Sequence, residues 1–308
     1  MGGSIVEKLK DLLNVEFREK MKLVVVGAQD EEVIEAVNEA RRASIIEAVL
    51  IGDREKIVNI LDKKGLKEDL FEIIDEDEMG TAAELGVKMI SEGRADFIMK
   101  GLIDTSLLLK AVLNKEWGLR TDSLLSHVMV YEVSTYSKLL YLTDGGMNLE
   151  PSIEQKKMIV ENAAVVARAL GNEKVKVAAL AAKEKVNPKM IATVDADTLK
   201  TQYENGEFSQ GIILDGPLAL DLALSKEAAK VKGFDSEVAG DADVLLVPNI
   251  EMGNGIGKTI TYLAGGKSAG VVMGAKVPIV LVSRADDHES KLYSIALGSI
   301  VASQTQRK

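Results

Sequence analysis

Short apolar, largely β-branched runs alternate along the chain with longer segments in which apolar residues recur every three or four positions. The short runs are typical of buried strands and the longer segments of amphipathic helices. The predicted strands lie at Leu23–Val26, Val49–Ile51, Asp96–Met99, Leu124–Val130, Leu139–Thr143, Val175–Ala181, Gly211–Leu214, Val244–Val247 and Pro278–Val282. The clearest predicted helices lie at Glu31–Ala43, Ile153–Leu170 and Leu218–Lys230. This alternation predicts an α/β protein with largely parallel sheets.

The chain is long enough for two domains. Its 308 residues exceed the size at which a single hydrophobic core usually stops growing. The alternation of strands and helices breaks between Tyr131 and Tyr141, where two strand candidates follow each other with no helix between them. We therefore predict a crossover near residue 133 from a first α/β domain into a second.

Composition and charge restrict the class of function. Hydrophobic residues make up 46% and charged residues 28% of the chain, as in a globular protein. The net charge of −10 argues against nucleic-acid binding, which needs a broad cationic surface. Disulfides, thiolate zinc sites and cysteine nucleophiles are excluded because there is no cysteine, and two histidines are too few for a multi-histidine metal site. No segment has the pattern of a signal peptide or the length of a membrane span, so the predicted location is the cytoplasm.

The end of the last predicted strand carries the best candidate for a binding site, since ligands of open α/β sheets bind beyond the carboxyl ends of strands. Ser283 and Arg284 directly follow the strand. The spacing of Asp286 and Glu289 is close to that of a capping box, which predicts the start of a helix. A helix N-terminus favours an anion, and a guanidinium group can bind two phosphate oxygens. The segment predicts a site for a phosphate-like anion; the alternative is a capped helix with Arg284 in a surface ion pair.

A glycine-rich segment follows the strand Val244–Val247. Residues Gly253–Thr259 read GNGIGKT and resemble a nucleotide-binding P-loop, but three residues separate Gly253 from the Gly-Lys-Thr where that motif has four. We therefore predict a glycine-rich loop that opens a helix, with Asn254 and Lys258 facing an anionic ligand. The alternative is a phosphotransferase that uses this loop.

A lysine stands at the end of a third predicted strand. Lys100 and Gly101 follow Asp96–Met99, and the lysine is predicted to project into a ligand cleft while Asp104 or Thr105 caps the next helix. The alternative for Lys100 is a solvated turn residue.

A second cationic turn is a weaker candidate. It follows Val175–Ala181 and contains Lys183, Lys185, Asn187 and Lys189. His127 lies within an apolar strand and is predicted to be a core histidine rather than a ligand.

Longer stretches of the chain resemble a known family. The segments are PNIEMGNGIGKTITYLAGGKSAGVVMGAKVPIVLVSRADDHESKLYSIAL, DFIMKGLIDTSLLLKAVLNKEWGLR, LTDGGMNLEPSIEQKKMIVENA, AAKEKVNPKMIATVDA and GIILDGPLALDLALS. Together they resemble the phosphate butyryltransferase and phosphate acetyltransferase family, and its butyryl branch in particular. The likeness covers nearly the whole chain and is more specific than any single motif.

The resemblance implies a two-domain α/β fold of the isocitrate and isopropylmalate dehydrogenase-like type, with the active site in the cleft between the domains. The C-terminal helix is implied to return to the first domain, which gives domains of 1–133 plus 286–308 and of 134–285. The implied reaction is reversible transfer of a short acyl group, butyryl first, between coenzyme A and inorganic phosphate through a ternary complex. Acyl-CoA, phosphate and acyl phosphate are then the partners, and no metal or organic cofactor is needed. A homo-oligomer, at least a dimer, is also implied. The alternatives are a phosphate acetyltransferase and a non-catalytic binder of acyl-CoA or phosphate on the same fold.

The resemblance also assigns roles to residues. Ser283 matches a serine that contacts the carbonyl or the thiol, and Arg284 matches an arginine that binds phosphate. Acetyl-transferring relatives carry their base at the position of Ser290, so we expect the neighbouring Glu289 to accept the thiol proton here. Lys110 stands where relatives carry a second arginine. The predicted substrate-binding residues are Lys100, Gly101, Thr105, Lys110, Asn254, Lys258 and Ser290.

Overall fold

The computed structural model describes residues 6–15, 20–283 and 286–305. The chain divides into two compact units. The N-terminal unit comprises Lys10–Ser123 and Ala269–Lys308, and the central unit comprises Met1–Leu9 and Leu124–Ser268.

Strands and helices alternate along most of the described chain. The strands are β1 Met21–Val26, β2 Ile46–Gly52, β3 Glu72–Asp75, β4 Phe97–Lys100, β5 Ser126–Glu132, β6 Leu140–Thr143, β7 Val175–Leu180, β8 Ile212–Leu218, β9 Val244–Leu246, β10 Lys267–Met273 and β11 Ile279–Val280. The α-helices are α1 Glu31–Arg42, α2 Arg54–Lys63, α3 Met79–Ser91, α4 Thr105–Val112, α5 Ile153–Ala169, α6 Ile191–Glu204, α7 Leu220–Leu224, α8 Lys226–Val231, α9 Ile250–Tyr262 and α10 His288–Thr305. Short 3-10 helices lie at Leu9–Asn14 and Glu68–Leu70. The predicted α/β class is confirmed.

The strands of the N-terminal unit lie in the order β3-β2-β1-β4-β11-β10. β1 pairs in parallel with β2 and β4, and β4 pairs in parallel with β11. Val26 lies opposite Lys100, and Met99 lies opposite Val280. The carboxyl ends of β1, β4 and β11 therefore lie side by side at one edge of the sheet.

The strands of the central unit lie in the order β5-β6-β9-β7-β8. The pairs from β6 to β8 are parallel, and β5 runs antiparallel to β6. Leu246 lies opposite both Thr143 and Ala179. The carboxyl ends of β6, β9 and β7 are therefore neighbours, in the arrangement that usually forms a ligand-binding edge.

The division of the chain differs from the sequence expectation. The two strands that interrupt the alternation near residue 133 are an antiparallel pair, with Met129 opposite Leu142, so both belong to the central unit. The chain changes units after Ser123 and again after Ser268, whereas the predicted crossings were at 133 and 285. The predicted helix Leu218–Lys230 is also two helices, because Ser225 ends α7 and its side chain caps α8.

The long helix α10 forms part of the core of the N-terminal unit. Residues 291–302 are buried without interruption. A Cβ atom at Gly298 would lie 2.8 Å from a methyl group of Val280 and 3.0 Å from the ring of Phe97, so only glycine lets the helix pack this closely on β4 and β11. No helix in the described ranges is both long enough and apolar enough to cross a membrane.

An ion-pair network joins the amino ends of β7 and β9 in the central unit. The Lys138 ammonium lies 2.5 Å from Asp243, and the Lys176 ammonium lies 2.6 Å from Asp241. The Lys176 backbone N–H also donates to Asp243, at 2.8 Å. The Asp243 side chain is only 8% exposed, so it depends on these partners for its solvation.

We expect Asp243→Asn to lower the free energy of unfolding by about 2 kcal/mol, because the Lys138 ammonium then loses the nearer of its two carboxylate partners in a partly buried site and keeps only Asp241, at 3.3 Å. Urea denaturation monitored by circular dichroism measures the change. Lys226→Gln is the matched control, since that ammonium is 3.9 Å from Asp241 on a side chain that is 78% exposed. If Lys226→Gln lowered the free energy of unfolding as much as Asp243→Asn, the stabilising role of the ion-pair network would be contradicted.

Candidate active site

The carboxyl ends of β1 and β4 approach each other closely. The Gly101 N–H donates to the Val26 carbonyl at 2.8 Å, and the Leu102 N–H donates to the Gly27 carbonyl at 2.6 Å. A Cβ atom at Gly101 would lie 2.2 Å from the Gly27 oxygen, which leaves room for glycine alone. The structure thus gives Gly101 a clear role in bringing the two strand ends together.

Lys100 is the last residue of β4 and is a buried lysine. It is only 7% exposed, and its ammonium donates to the Gly101 carbonyl at 3.3 Å. The alternative of a solvated turn residue is therefore wrong. A buried cation at the carboxyl edge of a parallel sheet is well placed to bind an anion, because its charge is little screened by water.

Helix α4 separates two of the predicted binding residues. Thr105 is its first residue and half-buried, and Asp104 occupies the N-cap position without a side-chain bond to the helix. Lys110 is exposed in the last turn, about 7.5 Å further along the helix axis. Thr105 lies near the strand edge, whereas Lys110 belongs to the outer end of the helix.

The segment after β11 is closed by two hydrogen bonds. The Ser283 N–H donates to the Asp286 carboxylate at 2.8 Å, and the Asp286 N–H donates to the Ser283 carbonyl at 3.1 Å. Arg284 lies outside the described residues. Ser283 is exposed and lies three residues beyond Val280, the last residue of β11. β11 is the strand next to β4, which ends at Lys100. β4 and β11 thus bring a buried ammonium group and an exposed serine to the same edge.

The predicted capping box is wrong by one position. Helix α10 begins at His288, and the Asp287 carboxylate accepts the Ser290 N–H at 2.8 Å as the N-cap. Asp286 cannot cap the helix because its carboxylate is bonded back to Ser283. The general prediction of a helix start just after Ser283 is nevertheless confirmed.

The Asp287 carboxyl group is held in its ionised form. Burial alone raises its pKa. Hydrogen bonds from the backbone and hydroxyl of Ser290, together with the positive charges of Lys291 and His288, outweigh burial and hold the pKa below its usual value. A carboxylate with a lowered pKa is a weaker proton acceptor, so Asp287 is suited to capping the helix rather than to acting as a base.

Glu289 has a different environment in the first turn of α10. Its carboxylate accepts a hydrogen bond from the Tyr293 hydroxyl at 2.9 Å, and its side chain is half-buried. Tyr293 is buried and fixes the carboxylate from one side. Glu289 is therefore a positioned carboxylate next to Ser290, as the base assignment requires.

Lys291 is a residue of this site that sequence reasoning missed. Its buried ammonium lies 2.6 Å from Glu32 and also contacts the Asp286 carbonyl. It therefore ties the segment after Ser283 to the start of α1. The available signal was a lysine directly before the long, largely apolar run that begins at Leu292.

In the central unit, the glycine-rich segment is a helix rather than a loop. Helix α9 runs from Ile250 to Tyr262, with the Asn249 side chain accepting the Met252 N–H. Gly253 and Gly257 are close-packing positions, because Cβ atoms there would lie 2.6 Å from Gly145 and 2.7 Å from the Tyr131 hydroxyl. The prediction of a glycine-rich loop was wrong.

Asn254 and Lys258 lie on the exposed face of this helix. The Lys258 ammonium sits 5.7 Å from the ring centre of Tyr262, one turn further on and away from the helix N-terminus. The phosphotransferase alternative loses its structural basis, since a P-loop needs inward-facing N–H groups that a helix interior does not offer. Binding of substrate by Asn254 and Lys258 stays a prediction.

Asp144 is a second residue that the sequence did not single out. It follows β6, is buried, and accepts bonds from the N–H groups of Gly146 and Met147 at 2.8 and 3.0 Å. It also accepts from the Asn148 side chain at 2.5 Å and from the His127 N–H at 3.2 Å. The turn after β6 is therefore built around one carboxylate, and His127 supports it from within the sheet. Its position directly after an apolar strand was the signal that could have found it.

No cluster of three or more metal-binding side chains occurs among the residues that the structure describes.

Comparison with known proteins places the chain in a family. The phosphate acetyl/butaryl transferase family model matches residues 76–299. The chain is 47% identical to the phosphate butyryltransferase of Clostridium acetobutylicum over 94% of its length and 96% of that protein. The solved structure of a branched-chain phosphotransacylase from Enterococcus faecalis V583 is similar with a TM-score of 0.82 and 32% identity, over 92% of this chain and 99% of that one.

The fold extends to more distant proteins. The 4-hydroxythreonine-4-phosphate dehydrogenase of Klebsiella pneumoniae matches with a TM-score of 0.53 and 13% identity, over 92% of this chain and all of that one. That likeness concerns the fold alone, and it agrees with the predicted dehydrogenase-like class. The family model matches well over half of the chain, and a phosphate butyryltransferase is related to it along nearly its whole length. This chain therefore belongs to the phosphate acetyl/butaryl transferase family.

Proposed function

We propose that this protein is a phosphate acyltransferase that reversibly transfers a short acyl group, butyryl first, between coenzyme A and inorganic phosphate. The observation that carries the proposal is the near full-length relation to a phosphate butyryltransferase at 47% identity. The edge of the N-terminal unit supports it, since Lys100, Ser283 and Glu289 provide a cation, a hydroxyl and a carboxylate.

In the direction of acyl phosphate formation, a phosphate oxygen attacks the thioester carbonyl carbon. The C–S bond then breaks, and Glu289 passes the proton that the phosphate loses to the departing thiolate, which returns the carboxylate to its starting state. In the reverse direction Glu289 removes the thiol proton, because the thiolate is the nucleophile. The Ser283 hydroxyl donates to the carbonyl oxygen as it gains charge. Lys100 and Arg284 bind the phosphate in either direction.

This scheme needs no covalent enzyme intermediate and no cofactor. A ternary complex of acyl-CoA and phosphate suffices, because phosphate itself is the nucleophile. We propose that no metal or organic group takes part. Activity after dialysis against a chelator should equal activity before it.

We expect the purified protein to release free thiol from butyryl-CoA only when phosphate is present. A thiol-reactive dye measures the release, and kcat/KM over acetyl-, propionyl-, butyryl-, isobutyryl- and hexanoyl-CoA ranks the substrates. A maximum at butyryl is expected, and because one methylene group is worth about 1–3 kcal/mol, neighbouring chains should differ by roughly tenfold or more.

The alternatives predict other outcomes. A maximum at acetyl-CoA would identify a phosphate acetyltransferase. If the folded protein binds coenzyme A but releases no thiol from any acyl-CoA in the presence of phosphate, it is the non-catalytic binder. The proposed reaction would then be wrong.

We also propose that the protein acts in the cytoplasm as a homo-oligomer, at least a dimer. Cytoplasmic action is supported by a cysteine-free chain that depends on no oxidising compartment. Light scattering coupled to size-exclusion chromatography measures the mass, and a monomer of 33.2 kDa would contradict the proposed assembly.

A further inference from the structure

A cationic loop follows β7 in the central unit and has no part in the acyl-transfer scheme. This lysine loop, residues 182–190, carries exposed lysines at 183, 185 and 189. Among the described residues, none of their ammonium groups has an acidic partner within ion-pair distance. The one acidic residue of the loop, Glu184, is neutralised by Lys232 at 2.8 Å. The loop is therefore a concentrated positive patch on a chain whose net charge is −10.

The backbone of this loop is held in place by a buried hydroxyl group. Thr193 of α6 is fully buried; its hydroxyl accepts the Asn187 N–H at 2.9 Å and donates to the Met190 carbonyl at 2.8 Å. The Asn187 side chain in turn accepts the Lys189 N–H at 3.0 Å. The loop is thus ordered before any ligand arrives, which reduces the entropy lost on binding.

Exposed apolar side chains lie among the lysines. Val186 is 47% exposed and Ile191, the first residue of α6, is 69% exposed. Free inorganic phosphate would gain nothing from them. A ligand that joins several phosphate groups to a flat ring system matches the combination, since the phosphates meet the ammonium groups and the ring covers the apolar side chains.

The position of the loop agrees with such a ligand. It begins at the carboxyl end of β7, which pairs with β9, and β9 pairs with β6. Neighbouring strands are about 4.8 Å apart, so the end of β7 is about 10 Å from the end of β6 and its Asp144 turn. The loop therefore flanks the edge of the central unit at which α/β proteins bind ligands.

We propose that the lysine loop binds the phosphorylated adenosine end of coenzyme A, with Lys183, Lys185 and Lys189 contacting its 3′-phosphate and diphosphate groups. The proposal rests on the proposed function for the identity of the ligand. The loop then determines affinity for acyl-CoA and takes no part in the chemistry or in the binding of inorganic phosphate.

The test combines a charge-removing and a charge-keeping variant. The triple variant Lys183→Gln, Lys185→Gln and Lys189→Gln should raise the Kd of coenzyme A about tenfold in isothermal titration calorimetry, because each exposed contact contributes modestly. The KM for acyl-CoA should rise in parallel, while the KM for phosphate and kcat change little. The corresponding triple Lys→Arg variant should keep near wild-type affinity. Dephospho-coenzyme A, which lacks the 3′-phosphate, should bind the wild type more weakly than coenzyme A and lose this difference in the glutamine variant.

A matched control removes the same charge elsewhere in the central unit. Lys174, Lys226 and Lys230 are also exposed, and their triple glutamine variant should leave the Kd unchanged. The proposal would be overturned if the Kd of coenzyme A rose equally in both triple variants, or if it did not rise in the loop variant. Because Kd is measured without turnover, a protein that binds coenzyme A through the loop but transfers no acyl group would refute the proposed function and leave this inference intact.

Discussion

Glu289→Gln is expected to lower kcat for butyryl transfer by roughly 10²- to 10⁴-fold, the usual contribution of a general base. The amide cannot accept the thiol proton, but its oxygen can still accept the Tyr293 hydroxyl bond that holds Glu289 at 2.9 Å. The first turn of α10 should therefore stay intact, and the KM values for both substrates should change little. Steady-state kinetics in both directions measures the effect, with the circular dichroism spectrum as the check on folding.

Two neighbouring variants separate chemistry from structure. Tyr293→Phe removes only the bond that positions the carboxylate, so its loss of kcat should be much smaller. Asp287→Asn keeps a side chain that can cap α10, and the lowered pKa of Asp287 argues against its use as a base. A large loss of kcat in Asp287→Asn together with a small one in Glu289→Gln would move the base to Asp287.

Arg284→Gln is expected to raise the KM for phosphate by roughly 10- to 100-fold, because charge-assisted hydrogen bonds to a phosphate each contribute about 1.5–3 kcal/mol. The KM for butyryl-CoA should change much less. The measurement is initial velocity against phosphate concentration at saturating butyryl-CoA. An unchanged KM for phosphate would mean that the anion site lies elsewhere.

Two further variants serve as controls for this prediction. Arg284→Lys keeps the charge but loses the planar fork, so an intermediate KM is expected. Lys110→Gln should have little effect, since Lys110 is exposed in the last turn of α4 rather than at the strand edge. A loss in Lys110→Gln equal to that in Arg284→Gln would restore Lys110 to the phosphate site that the family resemblance implies.

Local sequence patterns predicted which strands and helices form better than they predicted where those elements end or which elements pack against them. The apolar run ending at Met99 and the polar residues after it placed Lys100 correctly at the end of a strand. Its burial could not be predicted, because it depends on how β1 and β11 flank β4. The spacing of Asp286 and Glu289 placed a helix start correctly but not its cap, since Asp286 is bonded to a residue that precedes it.

Glycine was the residue most easily misinterpreted. In Gly253–Thr259 the sequence indicated a glycine-rich loop that opens a helix, because the segment resembles a P-loop and glycine favours turns. In the structure the same glycines bring α9 close to the turn after β6 and to Tyr131. Each glycine within a helix costs about 1 kcal/mol relative to alanine. Tertiary packing overcomes this cost here, and no local sequence pattern reports such packing.

The sequence by itself determined the α/β class, the family and the places along the chain where functional groups follow strands, because hydrophobic periodicity and motif order are properties of neighbouring residues. Only the tertiary structure decided which of those groups share an edge. Strand order, helix phase and burial decided three features of the site. They are the placement of Lys100 and Ser283 beyond Met99 and Val280 on adjacent strands, the bond from Tyr293 to Glu289 within α10, and the clamp of Thr193 on the lysine loop. These are contacts between residues that are apart in sequence or brought together by a particular turn, and their energies arise only when the chain has folded.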